Sequence, residues 1–294
     1  MRFVLKIIIV IFCFIHINFV IFAQDNLISI NNSDLNLFWK PKLESAFLKT
    51  FSSSHEFSSC QAFQNLGYNL AEISEIRKIT PFPASLSVEI DGLQEELIDL
   101  KTKGLSDYPQ IKILKFNKLN VICDKVHYFN MVIERVVFKF PYSSIDLDYL
   151  NKGRLRFIDL DKIELNIKVS EDDLLAILKL YPKAKLLSNV KVELSPNRCI
   201  SKGRVKLGII VADFKMKGRV KHISPKIINF VVDKLYLNGM PQPRAFINTI
   251  LTYINPVFDS TKVWINLNIK EMNIINNFIE TNATIDKKGI YNAN

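Results

Sequence analysis

The 294-residue chain is poor in the residues that build most catalytic and metal-binding sites. It contains 4 His, 4 Cys, 2 Trp and 9 Gly. So little glycine excludes a collagen-like or glycine-rich filament, and so few cysteines exclude a disulfide-dense scaffold. The sequence also lacks a nucleophile elbow, a phosphate-binding glycine loop, an HExxH motif and a dinucleotide fingerprint. We therefore predict a protein that is not an enzyme and has no cofactor.

The chain is instead rich in cationic and apolar residues. It has 39 Lys and Arg against 29 Asp and Glu, a formal charge of +10, and 48% hydrophobic residues. Enough apolar surface is available to offset the entropy of ordering, which excludes extensive disorder. The length is that of one large domain or two small ones.

The amino terminus predicts export. Arg2 and Lys6 precede an apolar run over residues 7–22, and Ala23 follows as a small residue before a polar chain. This order is typical of a secretory signal, cleaved here after Ala23. The run is shorter than the ~20 residues that cross a bilayer core, although an uncleaved anchor remains the alternative. Cleavage would leave a mature charge of +8.

The remaining cysteines and acidic pairs are weak candidates for chemistry. Cys60, Cys123 and Cys199 form either one disulfide with a free thiol or three buried thiols. Cys123 and His127 are four residues apart, but no second ligand pair completes a zinc site, and we predict no metal. Two Asp-x-Asp pairs would suit a divalent cation or a nucleotide-sugar enzyme, but they are more typical of polar strand ends. These pairs are Asp146 with Asp148 and Asp159 with Asp161.

Helical periodicity is confined to four segments. They are residues 34–51 with Pro41 near the start, residues 68–78, a helix that follows Ser170 and stops at Pro182, and a helix between Pro243 and Pro256. Ser170 is the expected N-cap of the third helix, with Asp173 in the place of the usual glutamate of a capping box.

The rest of the chain alternates apolar and polar residues with a period of two from Leu86 onward. The clearest runs are 86–90, 163–169 and 263–269, and Asn276-Asn277 is a predicted hairpin turn. Strands with one apolar face and one solvent-exposed face indicate an antiparallel sheet. The predicted fold class is α+β, with a long meandering sheet covered by a few helices.

A basic hairpin is predicted between residues 204 and 221. We expect two opposite faces here. The apolar face comprises Val205, Leu207, Ile209 and Val211, continued by Phe214, Met216 and Val220. The basic face comprises Lys215, Lys217, Arg219 and Lys221. It is either a solvated face that discourages edge aggregation or a site for anionic headgroups. Nucleic acid is not a predicted partner, because the chain is exported and lacks an aromatic-interleaved binding motif.

Several motifs in order resemble the LmeA-like phospholipid-binding family of exported bacterial envelope proteins. They are VSEDDL at a helix start, FKMKGRV, FVVDKLYLNGMPQP, and INPVFD before a strand. The likeness spans residues 85–285, between a helical segment over 24–84 and a tail over 286–294. It implies an elongated, curved antiparallel sheet wrapped against helices, as in tubular lipid-binding modules, and a location in the periplasm or cell envelope.

The leading hypothesis is a non-enzymatic, membrane-associated protein that binds or shuttles phospholipid. An apolar groove between sheet and helix would hold acyl chains. Its expected lining is Phe138, Phe140, Leu174, Leu178, Phe246, Ile250 and Ile254, with the basic face at the headgroups or membrane surface. The alternative is an assembly factor that binds a protein partner in the same groove. A metal-dependent hydrolase or glycosyltransferase using the Asp pairs is less favoured.

Overall fold

The computed structural model describes residues 32–52, 82–98, 111–128, 131–179, 187–207, 210–256, 258–262 and 267–286. The predicted signal, the helix expected over 68–78 and Cys60 lie outside these ranges. So does the first part of the alternating run that begins at residue 263.

The described elements are mostly strands, with four helices between or before them. The strands are β1 Phe82–Asp91, β2 Gln94–Ile98, β3 Ile111–Tyr128, β4 Met131–Asp146, β5 Phe157–Asp159, β6 Lys162–Ser170, β7 Leu187–Ser195, β8 Arg198–Leu207, β9 Ile210–Ser224, β10 Ile227–Leu237, β11 Met240–Pro241, β12 Phe258–Asp259, β13 Leu267–Ile275 and β14 Phe278–Asp286. The helices are α1 Asn32–Ser52, α2 Leu147–Asn151, α3 Glu171–Lys179 and α4 Arg244–Ile254, with a 3-10 turn at Ser260–Lys262.

The strands form two antiparallel sheets. Sheet A has the order β1-β3-β4-β6-β14-β13, with β2 on β3 and β5 on β4. Sheet B has the order β11-β10-β9-β8-β7, with β12 on β10. Sheet B is inserted between β6 and β14, which are themselves neighbours in sheet A. The α+β, antiparallel expectation is confirmed.

The alternating runs form strands with one buried face. Along β6 the burial alternates strictly, and its four apolar side chains at 163, 165, 167 and 169 are all buried. In the third run, Leu267 and Ile269 are buried in β13. Asn276-Asn277 forms the predicted turn between β13 and β14, with Asn277 at a φ of 64°. Asparagine tolerates this left-handed conformation better than most residues.

Helix α1 packs onto sheet A rather than standing apart from it. Trp39, Leu43 and Phe47 are buried in the same core as the sheet, and the Trp39 indole donates a hydrogen bond to Glu95 at 2.7 Å. The helix predicted over 34–51 is confirmed, but Pro41 lies in its interior because the helix begins earlier, at Asn32.

The two sheets meet at the turns of two hairpins. The backbone N–H of Asn197 donates to the Ile274 carbonyl at 3.0 Å, and that of Asn277 donates to the Leu194 carbonyl at 3.3 Å. Leu194 and Ile228 of sheet B are buried in the core of sheet A. Sheet A thus covers the part of sheet B around Leu194 and Ile228, which is called the near part. Helix α4 packs on the part around Val232 and Leu235, which is called the far part.

The predicted capping box at the start of α3 is present. The Ser170 hydroxyl accepts the Asp173 N–H at 3.2 Å, and the Asp173 carboxylate accepts the Ser170 N–H at 3.1 Å. Burial raises the pKa of Asp173, and the hydrogen bonds from Ser170 act in the opposite direction. The acidic first turn also interacts favourably with the helix dipole.

Replacing Ser170 by alanine is expected to lower the free energy of unfolding by about 1 kcal/mol, because one N-terminal N–H loses its acceptor. Urea unfolding followed by circular dichroism measures this cost. Ser85→Ala on an exposed position of β1 is the control. A cost no larger than the control's would contradict the capping role.

Candidate functional site

The residues predicted to hold acyl chains fall into two separate apolar layers. Phe138, Phe140 and Leu174 are buried in the core under sheet A, whereas Ile250 packs on a smaller cluster of sheet B. Phe246 belongs to the same helix as Ile250 and is 37% exposed. The side chains of Leu178 and Ile254 lie outside the described residues. The structure therefore does not bring the predicted set into one groove.

The two phenylalanines of β4 lie in a closed core. Phe138 and Phe140 stack with ring centroids 6.4 Å apart, and Phe140 stacks on Phe157 at 5.1 Å. Helix α1 adds Phe47, whose ring centroid is 5.8 Å from that of Phe140. Because other side chains pack against these rings, we assign Phe138 and Phe140 to the core rather than to a ligand groove.

Helix α4 is anchored to sheet B by polar contacts at both ends. The Arg244 guanidinium donates to the Val232 carbonyl at 2.7 Å. At the other end, the Asn255 side chain accepts the Phe230 N–H at 2.7 Å and donates to the Phe230 carbonyl at 2.8 Å. These bonds satisfy backbone groups of β10 and fix the helix across the inner face of the sheet.

The apolar layer between α4 and sheet B is only partly covered. Its buried members are Val232, Leu235 and Ile247. Its half-buried members are Met216, Phe230, Ile250 and Leu251. With Phe246 exposed on the same helix, the described part of the chain leaves apolar surface open at this layer, in contrast to the core under sheet A.

Gly218 shapes the floor of this layer. A Cβ at this position would lie 2.5 Å from the Val231 carbonyl and 2.7 Å from the ring of Phe230. Only glycine therefore allows the Phe230 ring to approach β9 this closely.

The opposite face of sheet B is strongly cationic. The predicted basic residues alternate along β9 and share this outer face: Lys215, Lys217, Arg219 and Lys221. Register adds lysines from other strands. Lys215 pairs with Lys202, and Lys202 pairs in turn with Lys191. Directly opposed like charges destabilise a sheet, and nothing in the fold requires three lysines in one row.

Three acidic residues offset part of this charge. Glu193 pairs with Lys202 at 2.5 Å, Asp213 with Arg204 at 2.9 Å, and Asp233 with Arg219 at 3.0 Å. The hydrogen bond from Lys202 lowers the pKa of Glu193, and the charges of Lys202, Lys215 and Lys191 lower it further. Six lysines of this face make no ion pair among the described residues. They are Lys191, Lys206, Lys215, Lys217, Lys221 and Lys234.

Replacing Glu193 by glutamine is expected to strengthen binding to anionic vesicles about fivefold, because the lysine row gains one unit of net charge near the surface. Vesicle cosedimentation at low salt measures the change. Glu271→Gln on exposed β13 is the matched control. Equal effects of the two variants would show that net charge alone matters, not the lysine row.

Val211 lies on the cationic face, which corrects the predicted hairpin. The sequence pattern placed it with Val205 and Leu207 on the apolar face. In the structure Val211 pairs with Lys206, and directly paired residues share a face, so Val211 is 57% exposed beside a lysine. The reversal between β8 and β9 shifts the phase of the pattern by one residue.

Asp146, Cys123 and Cys199 have structural explanations. The Asp146 carboxylate accepts the N–H groups of Asp148 and Tyr149 at the start of α2 and pairs with Arg156 at 3.4 Å. Over the described ranges, no cluster of three or more His, Cys, Asp or Glu residues is suited to a metal ion. Cys123 and Cys199 are free thiols, and burial raises the pKa of Cys123 strongly.

Alkylation of Cys199 is expected to be slow in the folded protein at pH 8 and to accelerate toward pH 11. Burial, with a smaller contribution from Glu171, raises the pKa of this thiol to about 11, and only the thiolate reacts. Peptide mapping after iodoacetamide treatment measures the labelling, with urea-unfolded protein as control. Labelling of Cys199 at pH 8 as fast as in urea would contradict the expectation.

The chain matches no protein-family model and has no significant match to a curated protein or a solved structure. The resemblance to LmeA-like proteins thus stays a prediction. In the described part of the chain, no helix combines the length and apolarity needed to cross a bilayer.

Proposed function

We propose that this protein is a non-enzymatic, exported cell-envelope protein that binds phospholipid. The acyl chains would lie in the partly covered layer between α4 and sheet B, and the cations on the opposite face of that sheet would meet the headgroups of an anionic membrane surface. The sheets would be of the elongated, curved kind found in tubular lipid-binding modules. The predicted signal and the motif resemblance support the envelope location.

The observation that carries the proposal is the unequal closure of the two apolar layers. The core under sheet A is filled, whereas in the described part of the chain four members of the α4 layer are only half-buried and Phe246 of the covering helix is 37% exposed. Each methylene of a lipid chain buried there contributes about 0.8 kcal/mol. Binding would therefore need few specific polar groups, which fits a sequence without a catalytic motif.

The cationic face adds an electrostatic contribution to the free energy of binding. Six lysines of the described chain carry no ion-pair partner on this face, and each cation near an anionic bilayer contributes on the order of 1 kcal/mol. An anionic membrane surface would relieve the repulsion between opposed lysines. A neutral protein partner would leave that repulsion in place.

Uptake of phosphatidylglycerol with a pyrene-labelled acyl chain, followed by fluorescence in detergent-free buffer, tests the proposal. We expect saturable uptake by the parent protein. A variant carrying Phe246→Ser and Ile250→Ser should bind on the order of tenfold more weakly, because both side chains border the open layer. Ile275→Ser, at a 43% exposed position of β13, is the control and should not change uptake. Absence of uptake by the parent protein would refute the proposal.

A further inference from the structure

Three exposed apolar side chains lie toward one end of sheet B. Val211 is 57% exposed at the start of β9, Met240 is 64% exposed at the start of β11, and Phe246 is 37% exposed in the first turn of α4. These three residues are called the distal end below.

The pairing of the strands places the distal end away from sheet A. Leu237, the last residue of β10, pairs with Phe214 on one side and with Met240 on the other. The Asn238 N–H donates to the Asp213 carbonyl at 2.8 Å, two residues from Val211. The contacts with sheet A described above lie at the turn that joins β7 to β8, whereas the distal end lies where β8 meets β9.

Cationic and aromatic side chains border the distal end. Lys206 pairs directly with Val211. Tyr236 pairs with Lys215 on one side and with Pro241, the neighbour of Met240, on the other. Apolar side chains bordered by lysine and tyrosine are typical of surfaces that enter the interface of an anionic bilayer.

Charge favours an anionic bilayer over a second copy of the chain as the partner of the distal end. Two copies that met at the distal end would bring the cations that border it, such as Lys206, close to one another. Like charges at an interface oppose association. An anionic bilayer offers both a counter-charge for the cations and an apolar phase for Val211 and Met240.

We propose that the distal end of sheet B inserts into the interface of an anionic bilayer and is the end at which lipid enters the α4 layer. This inference rests on the proposed phospholipid binding. Phe246 connects the two, because it follows β11 by five residues and belongs to the first turn of the helix that covers the open layer. Bilayer contact at this end would deliver an acyl chain directly to the half-buried side chains beneath α4.

Fluorescence quenching by brominated acyl chains tests the insertion. Tryptophan is introduced singly as Val211→Trp, Met240→Trp or Ile223→Trp, and the protein is added to vesicles of phosphatidylglycerol and brominated phosphatidylcholine. Ile223 is the matched control, since it is 50% exposed at the other end of β9. We expect quenching beyond that of the parent protein at 211 and 240, but not at 223.

Aspartate at the same three positions gives a second readout by vesicle cosedimentation. Val211→Asp and Met240→Asp should each weaken vesicle binding on the order of tenfold, since an apolar contact is lost and a charge opposes insertion. Ile223→Asp adds the same charge without removing an inserted side chain, so it should weaken binding by no more than about fivefold.

Three results would overturn the inference. Vesicle binding with no excess quenching at 211 and 240 would refute insertion while leaving pyrene-lipid uptake, and thus the proposed function, intact. Absence of both vesicle binding and lipid uptake in the parent protein would refute both. A dimer that Val211→Asp disperses, with vesicle affinity unchanged, would identify the distal end as an interface between copies.

Discussion

Replacing Lys215, Lys217 and Lys221 together by glutamine is expected to weaken binding to anionic vesicles on the order of 100-fold. All three lie on the outer face of β9 and make no ion pair within the described ranges. Each contributes on the order of 1 kcal/mol at an anionic surface, and about 1.4 kcal/mol corresponds to a tenfold change in affinity. Cosedimentation with phosphatidylglycerol vesicles at low ionic strength measures the loss.

A matched variant separates this surface from net charge. Lys112, Lys118 and Lys125 are exposed on β3 of sheet A, and their replacement by glutamine removes the same charge. This control should weaken binding only slightly. The difference between the two variants should shrink as salt is raised, because screening acts on exposed charges. Equal losses in both variants would contradict a role for the face of sheet B.

Replacing Phe140 by alanine is expected to lower the free energy of unfolding by about 3–5 kcal/mol and to leave lipid affinity unchanged in the folded protein. Its ring is 2% exposed and packs against Phe138, Phe157 and Phe47. Removal of such a ring leaves a cavity that the surrounding core fills only in part. Urea unfolding gives the stability, and pyrene-lipid uptake below the unfolding transition gives the affinity.

Phe246→Ser should give the opposite result. Its side chain is already 37% exposed, so its loss should cost less than 1 kcal/mol of stability while weakening lipid uptake several-fold. The two variants together separate the closed core from the open layer. If Phe140→Ala reduced lipid affinity and Phe246→Ser did not, the assignment of the acyl-chain site to α4 would be wrong.

Local features of the fold could be predicted from the sequence because they depend on neighbouring residues. Ser170 and Asp173 are three apart, so their mutual capping follows from the order of the chain. The alternation along 163–169 predicts a half-buried strand without knowledge of its partners. The turn at Asn276-Asn277 follows from the tolerance of asparagine for left-handed backbone.

Features that depend on strand register could not be predicted from the sequence. The row of Lys191, Lys202 and Lys215 joins three strands, and only the pairing of β7, β8 and β9 brings these residues together. Val211 was assigned to the wrong face because a reversal in the chain breaks the phase of the alternation. A period-two pattern gives the faces of one strand and does not relate them to those of the next.

The candidate acyl-chain residues divide for a related reason. Phe138 and Ile250 are both apolar residues on a patterned element, and nothing in their local sequence says how completely another layer covers them. Coverage is a property of the packing. Sheet A is closed by α1 and by the near part of sheet B, whereas the far part of sheet B is covered by the short helix α4.

Native mass spectrometry of the full chain, purified from its source membrane fraction without detergent, tests the central claim most directly. We expect a species heavier than the polypeptide by the mass of a phospholipid, and loss of that species in the variant with Phe246→Ser and Ile250→Ser. A spectrum with only the polypeptide mass, from protein that also fails to take up pyrene-labelled phosphatidylglycerol, would contradict it.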